Sequence, residues 1–347
     1  MARLLTQDFE TRTVEGLLGV AVGFGPTPRI SGVAVETGNL TFQLHDLIED
    51  DIIRNQFYTR FAHSIRPQFN EGYATRFRIR DSANTTLFHI NFGLNSAITV
   101  HLNGSTQPIA TIPVQMALGW YLFEIYYNFT NESGHSPYIE IKLDGVSRFT
   151  HSDPTSSSLE TPFERKLGFI DYCVATRAYL DDIAINDISG SRDNSWCGDG
   201  HVIALTPNAN GDSSQFVGSD GNSTDNYLLV DDFPVNTADY VESSVVGMID
   251  LYNVTSPTPA LKTDDVVKRV WVSATARELS ADGDTLRLGV KSGGTAAWSD
   301  QIPLGIDFRE QRGGDLYVNP STGQPWTHAN LDTLQVGVKP EVAVTPP

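Results

Sequence analysis

Tyr138-Ile-Glu-Ile-Lys-Leu143, then Asp144-Gly145, then Val146-Ser-Arg-Phe149 is the stretch that decides the fold. Apolar and polar residues alternate before the Asp-Gly pair and strand-forming residues resume after it. That is the local signature of a β-hairpin. The same period of two recurs on both sides. Tyr73-Ala-Thr-Arg-Phe-Arg-Ile-Arg80 places Tyr73, Thr75, Phe77 and Ile79 on one face and Arg76, Arg78 and Arg80 on the other. Leu87-Phe-His-Ile-Asn-Phe92 and Ala97-Ile-Thr-Val-His-Leu102 follow, the second running into the turn pair Asn103-Gly104. Lys166-Leu-Gly-Phe-Ile-Asp171 and Ala178-Tyr-Leu-Asp-Asp-Ile-Ala-Ile185 close the series. Only Leu47-Ile-Glu-Asp-Asp-Ile-Ile53 offers a helical turn or two. A run of closely spaced strands reads as a sandwich or jelly roll.

The longest strand candidate is Trp120-Tyr-Leu-Phe-Glu-Ile-Tyr-Tyr-Asn-Phe129, which carries rings on both faces. One face must be core. The other is open to a second sheet, another subunit or a sugar ring, and packing is the favoured of these.

The chain has 347 residues, enough for two domains of ordinary size. Hydrophobic residues make up 40% and charged residues 19%, a globular rather than disordered balance. Net charge is −18, which repels phosphate backbones and argues against a direct nucleic-acid partner. The acid excess reads first as solubility and second as calcium binding in Asp-rich loops, of which no specific site is expected. No apolar run reaches the roughly 20 residues that cross a bilayer, so no membrane insertion is expected. The start, Met1-Ala-Arg-Leu-Leu-Thr-Gln-Asp-Phe-Glu10, does not read as a signal peptide. Cys173 and Cys197 lack a CxxC or clustered histidines, so a zinc site is not expected, while a bridge between them stays open.

The texture changes between Asp187 and Asp225, where Ser189–Gly200 and Asn208–Ser214 are polar and turn-rich. The boundary is placed there, giving domains 1–194 and 195–347. Beyond it, strands are expected over Asp239–Val245, Asp265–Ala276 and Thr285–Lys291, with Ala281-Asp-Gly-Asp284 joining the last two as a hairpin. Thr327 is the expected N-cap of one short helix carrying Leu331 and Leu334 at i and i+3.

Chemistry is sparse. A retaining glycosidase needs two carboxylates about 5 Å apart. Single strands offer Glu124 alone, Glu140 alone and the adjacent pair Asp181-Asp182, which regular pleating points to opposite faces. His45, His63, His89, His101, His135, His151, His201 and His328 form neither HExxH nor His-x-His. There is no Gly-x-Ser-x-Gly, and Gly289–Gly294 reads as strand and hairpin, not phosphate loop. Asn-x-Ser/Thr triplets start at Asn39, Asn84, Asn103, Asn128, Asn131, Asn222 and Asn253 and read as by-products of a polar surface. The expectation is therefore no enzyme, no catalytic, cofactor or metal residues, and no cofactor; ligand-binding residues are left unassigned.

Two stretches carry a resemblance. Ala178-Tyr-Leu-Asp-Asp-Ile-Ala-Ile-Asn-Asp187 resembles the closing strand of concanavalin A-like (laminin-G-like) jelly rolls. Downstream come Gly198-Asp-Gly200, Leu205-Thr-Pro-Asn-Ala-Asn-Gly-Asp-Ser-Ser-Gln-Phe216 and Asp239-Tyr-Val-Glu-Ser-Ser244. Asp250-Leu-Tyr252, Gly293-Gly294, Pro325-Trp-Thr327, Leu331 and Gly337 then follow in order. This series, from Tyr179 to Lys339, resembles a family of tailed-phage and prophage structural proteins. The resemblance implies an all-β chain: a concanavalin A-like jelly-roll sandwich, then a second, smaller β-sandwich with one short C-terminal helix. It implies a virion protein made in the host cytoplasm, a tail, fibre or head-surface decoration component. Its partners would be other virion proteins and copies of itself, a homo-oligomer. The alternative is a virion adhesin binding a host-surface glycan through the lectin-like domain. One departure stands out: Pro340-Glu-Val-Ala-Val-Thr-Pro-Pro347 replaces a further apolar strand, which leaves open whether the second sandwich is complete in one subunit.

Overall fold

In the computed structural model the Asp144-Gly145 pair closes the hairpin that the alternation predicts. Leu143 pairs with Val146, and both turn residues take positive φ, 50° and 75°. The structure describes residues 3–7, 23–25, 34–43, 56–65, 74–81, 83–92, 97–102, 104–112, 119–128, 138–152, 167–174, 179–232 and 235–341. Leu47–Ile53 lies outside them. Among the described residues the chain is all-β, with antiparallel sheets and one short α-helix. It divides into two units, Met1–Val202 and Ile203–Pro347.

The first unit runs β1 (Arg3–Gln7), β2 (Gly23–Gly25), β3 (Ala34–Gln43), β4 (Gln56–Ile65), β5 (Ala74–Asp81), β6 (Thr86–Phe92) and β7 (Ile98–Leu102). It continues β8 (Ala110–Ile112), β9 (Gly119–Asn128), β10 (Tyr138–Leu143), β11 (Val146–Ser152), β12 (Leu167–Val174) and β13 (Tyr179–Asp187). One sheet is ordered β11-β10-β9-β4-β13, with β1 also on β13; the other is β12-β5-β6-β7-β8. β3 joins them. Its first half pairs with β2 and, at Val35, with β13, while Gly38 to Gln43 pair with β12.

Alternation decides what each strand buries. Phe57 and Phe61 of β4, Phe123, Ile125 and Tyr127 of β9, and Ile139 and Ile141 of β10 enter one core with Phe77, Phe88, Ile170 and Tyr172 of the opposite sheet. Rings from the two sheets stack directly. Phe61 lies 5.5 Å from Phe77 and 5.4 Å from Tyr172, and Phe88 lies 6.4 Å from Tyr127, centroid to centroid. Each fully buried aromatic contributes about 1.5–3 kcal/mol by transfer from water, so this ring layer dominates the unit's stability.

The outer face of the β12-side sheet is polar. Thr41, Asp171, Arg78, His89 and His101 stand directly opposite one another across β3, β12, β5, β6 and β7. Asp171 accepts from Arg78, Arg80 and Thr41. Burial pushes its carboxyl up, but those donors, Arg80 foremost, outweigh it and hold it below the usual range.

The second unit contains β14 (Pro207–Ser214), β15 (Val217–Gly218), β16 (Val241–Glu242), β17 (Asp250–Val254), β18 (Ser273–Ala276) and β19 (Thr285–Ser292). β20 (Thr295–Trp298), β21 (Ile302–Pro303), β22 (Arg309–Arg312), α1 (His328–Leu331) and β23 (Gln335–Glu341) complete it. Its main sheet is ordered β14-β17-β23-β19-β20. Thr327 caps α1 as predicted, its amide donating to Asn330 Oδ1 at 3.1 Å, and Leu331 and Leu334 are buried in the unit's core.

Several local expectations change. Asn208–Ser214, read as turns, belongs to edge strand β14, fixed by backbone pairing with β17 rather than by apolar residues. The Ala281–Asp284 segment does not join a hairpin, because β18 pairs with β22 and β19 with β20 across Gly293-Gly294. The Asp239–Val245 strand contracts to β16 and the Asp265–Ala276 strand to β18, and α1 ends at Leu331, before Leu334. β23 runs through Pro340 to Glu341 between β17 and β19, so the sheet's edges are β14 on one side and β20 with β21 on the other, not β23.

Candidate functional site

The residues that β4, β9 and β10 turn away from the core form a mixed polar and aromatic face. Register sets its rows. Gln56, Asn128 and Tyr138 lie opposite one another; the next row is Tyr58, Tyr126 and Glu140, and the next Arg60, Glu124 and Lys142. Tyr58 and Tyr126 stack at 4.5 Å, and Tyr138 lies 5.8 Å from Tyr126.

The segment after β13 folds back onto this face. Trp196 packs at 5.3 Å from Tyr58 and 6.2 Å from Tyr126, and Lys142 Nζ lies 3.6 Å from the Trp196 ring centroid. Two buried charged residues hold the segment. The Gly198 amide donates to Glu124 Oε1 at 2.7 Å, and Arg60 donates to the Gly198 carbonyl at 2.9 Å and to the Asp182 carbonyl at 3.0 Å. Gly198 sits at φ +67°, which an L side chain resists. Asn186 Nδ2 donates to the Ser195 carbonyl at 2.7 Å. Cys197 is a buried thiol whose Sγ points at the Ala184 carbonyl, 3.7 Å away. Ser195–Gly200 thus belongs to the first unit, although the sequence reading begins the second domain at residue 195.

Tyr58, Tyr126, Tyr138, Glu140, Lys142 and Trp196 are all half-buried, so this is surface rather than core. Burial first, then the neighbouring Tyr126, raises the Tyr58 phenol above its ordinary value. Desolvation and then Glu140, which accepts the Tyr138 hydroxyl at 3.1 Å, do the same for Tyr138. Both hydroxyls stay protonated. Gln56 Nε2 donates to the Tyr126 hydroxyl.

Sequence reasoning found only part of this. Tyr126 comes from the ring-rich strand singled out for its second face. Tyr58 and Arg60 were missed, although Gln56-Phe-Tyr-Thr-Arg-Phe61 alternates two core phenylalanines with outward polar groups. Asp181 and Asp182 are buried. β13 bulges between Asp181 and Ala184, and Asp182 takes φ +52°, so regular pleating does not govern the pair. His101 is bonded through both ring nitrogens, to the Ser105 carbonyl and to Thr99. Among the described residues no group of three or more His, Cys, Asp or Glu gathers to hold a metal.

No protein-family model matches the chain, and no curated protein does. Similar solved structures include a Trypanosoma rangeli sialidase (8% identity, TM-score 0.37), covering 53% of this chain and 30% of that one. A conserved carbohydrate esterase of the Shiga toxin-encoding bacteriophage phi24B matches at 13% identity and TM-score 0.39, covering 54% of this chain and 99% of that one. The CBM2 module of the evolved Dit of Lactobacillus casei BL23 phage J-1 matches at 11% and 0.35, covering 55% and 97%. The expectation of no enzyme is corrected on two findings. The similar chains come mostly from carbohydrate-active enzymes. The carboxylate argument behind the expectation also fails, because it was confined to single strands. Register places Glu124 of β9 and Glu140 of β10 on the same face, diagonally across adjacent strands. Of the two, Glu124 is buried against Gly198 and Glu140 is half exposed.

Proposed function

We propose that the chain is a structural component of a tailed-phage particle whose first unit recognises glycan on the outer face of β4, β9 and β10. The observation that carries the glycan reading is the gathering of Tyr58, Tyr126, Tyr138 and Trp196, half-exposed, on a polar sheet face. Sugars present apolar C–H faces ringed by hydroxyls. They match rings set beside amide, hydroxyl and carboxylate groups, here those of Gln56, Tyr138 and Glu140. What supports the particle reading is the ordered resemblance between Tyr179 and Lys339. Copies of the chain and other virion proteins are its partners in this reading.

Calorimetric titration of the purified protein against a panel of bacterial surface polysaccharides tests recognition. Trp196→Ala and Tyr138→Ala are expected to weaken the best binder by at least about tenfold, as truncation of a buried ring at a binding site does. Wild-type protein that binds none of the panel, or variants that bind as wild type does, would sink the glycan reading. Antibody labelling of purified particles tests the other half, and particles that never label would refute it.

A further inference from the structure

Resting on that glycan reading, we infer that the sugar carries an acidic group, a carboxylate or a phosphate, and that Lys142 is the residue selecting it. The argument is one of unspent charge. Lys142 is half-buried on β10, and its ammonium lies over the Trp196 ring rather than against a carboxylate. Its cross-strand neighbour Glu124 is turned to the Gly198 amide. The adjacent acid on its own strand, Glu140, accepts the Tyr138 hydroxyl. Arg60, the other cation of the row, is buried and committed to two backbone carbonyls. Among the described residues, Lys142 therefore has no carboxylate partner and is a cation of this face that an incoming ligand can reach.

A partly desolvated ammonium held beside a ring platform favours a ligand placing a negative charge there and an apolar face on the rings. Lysine acts as a point charge without a preferred fork, so the geometry asks for an anion near the ring and does not separate carboxylate from phosphate. A neutral sugar would leave the ammonium as it is and gain only stacking.

The experiment uses the full chain and matched ligands: uronic-acid oligosaccharides of several linkages, each with its carboxyl-reduced neutral counterpart, and phosphate-bearing polysaccharide as a further arm. The acidic member of at least one pair is expected to bind about tenfold tighter than its neutral partner. Lys142→Met should bring the acidic and neutral members of each pair to the same affinity, and Lys142→Arg should restore the difference. Preference for the phosphate arm alone, lost in Lys142→Met, supports the inference with phosphate as the anion. Neutral and acidic members binding alike through Trp196 would overturn this inference and leave glycan recognition standing. No binding in any arm would overturn both.

Discussion

Acid should weaken the first unit through His89, by an amount the structure sets. The His89 ring stacks on His101 at 4.5 Å and 9° between planes, and Arg78 stands opposite it on β5. Its Nδ1 is buried without a hydrogen-bond partner. Burial first, then His101 and Arg78, lowers its pKa from 6.5 to about 4. The sign follows. An unfolded chain takes up this proton near pH 6.5, while the folded chain resists until about pH 4. Full stability is present above pH 6.5, falls through the interval and is lost by about pH 4. At about 1.4 kcal/mol per unit the gap is worth up to about 3 kcal/mol, and about 2 after solvent screening at the sheet surface. Urea unfolding of wild type and His89→Phe from pH 7.5 to 4 isolates the effect, since other carboxylates titrate in both. The phenyl ring keeps the stack and removes the orphaned nitrogen. The expected result is a wild-type stability falling about 2 kcal/mol further than the variant's over that range. Parallel curves would refute the reasoning.

Gly198→Ala meets no neighbouring atom but forces an L residue to φ +67°. It should cost about 1 kcal/mol and weaken glycan binding by releasing Trp196, as unfolding and titration together would report. Asp250 is fully buried and accepts from the Gln215 and Phe216 amides, Asn226 and the Tyr252 hydroxyl. Asp250→Ala should therefore cost about 3 kcal/mol or more, measured by urea unfolding. In Gly289→Ala the new Cβ would stand 2.5 Å from Trp298 and 2.6 Å from the Ala297 carbonyl. A loss of about 1–3 kcal/mol is expected by thermal melting, and an unchanged melting temperature would contradict the packing.

What the sequence discloses here is what is local. The Asp144-Gly145 hairpin, the Thr327 cap and the core alternation of β5, β9 and β10 depend on residues a few positions apart, and each is legible. β14 is not, because Asn208-Ala-Asn-Gly-Asp-Ser-Ser214 has the composition of a turn and becomes a strand through its partner β17. The site is less legible still. Tyr58, Tyr126, Tyr138 and Trp196 come from four separate segments, and only the register of β4, β9 and β10 and the fold-back of Ser195–Gly200 bring them together. Glu124 and Glu140 escape a search within strands for the same reason. Gly198-Asp-Gly200 was visible as a motif; its purpose, a peptide gripped by Glu124 and Arg60, was not.

β3 has a consequence for how the first unit comes apart. Because one strand is stitched into β13's sheet at Val35 and into β12's from Gly38 onward, neither sheet can peel away without dragging on the other. Amide exchange in β12 and β13 should then report a single opening event with one free energy, not two independent ones. Such a shared seam turns two layers into one mechanical element, in which strain applied to either layer is carried by both.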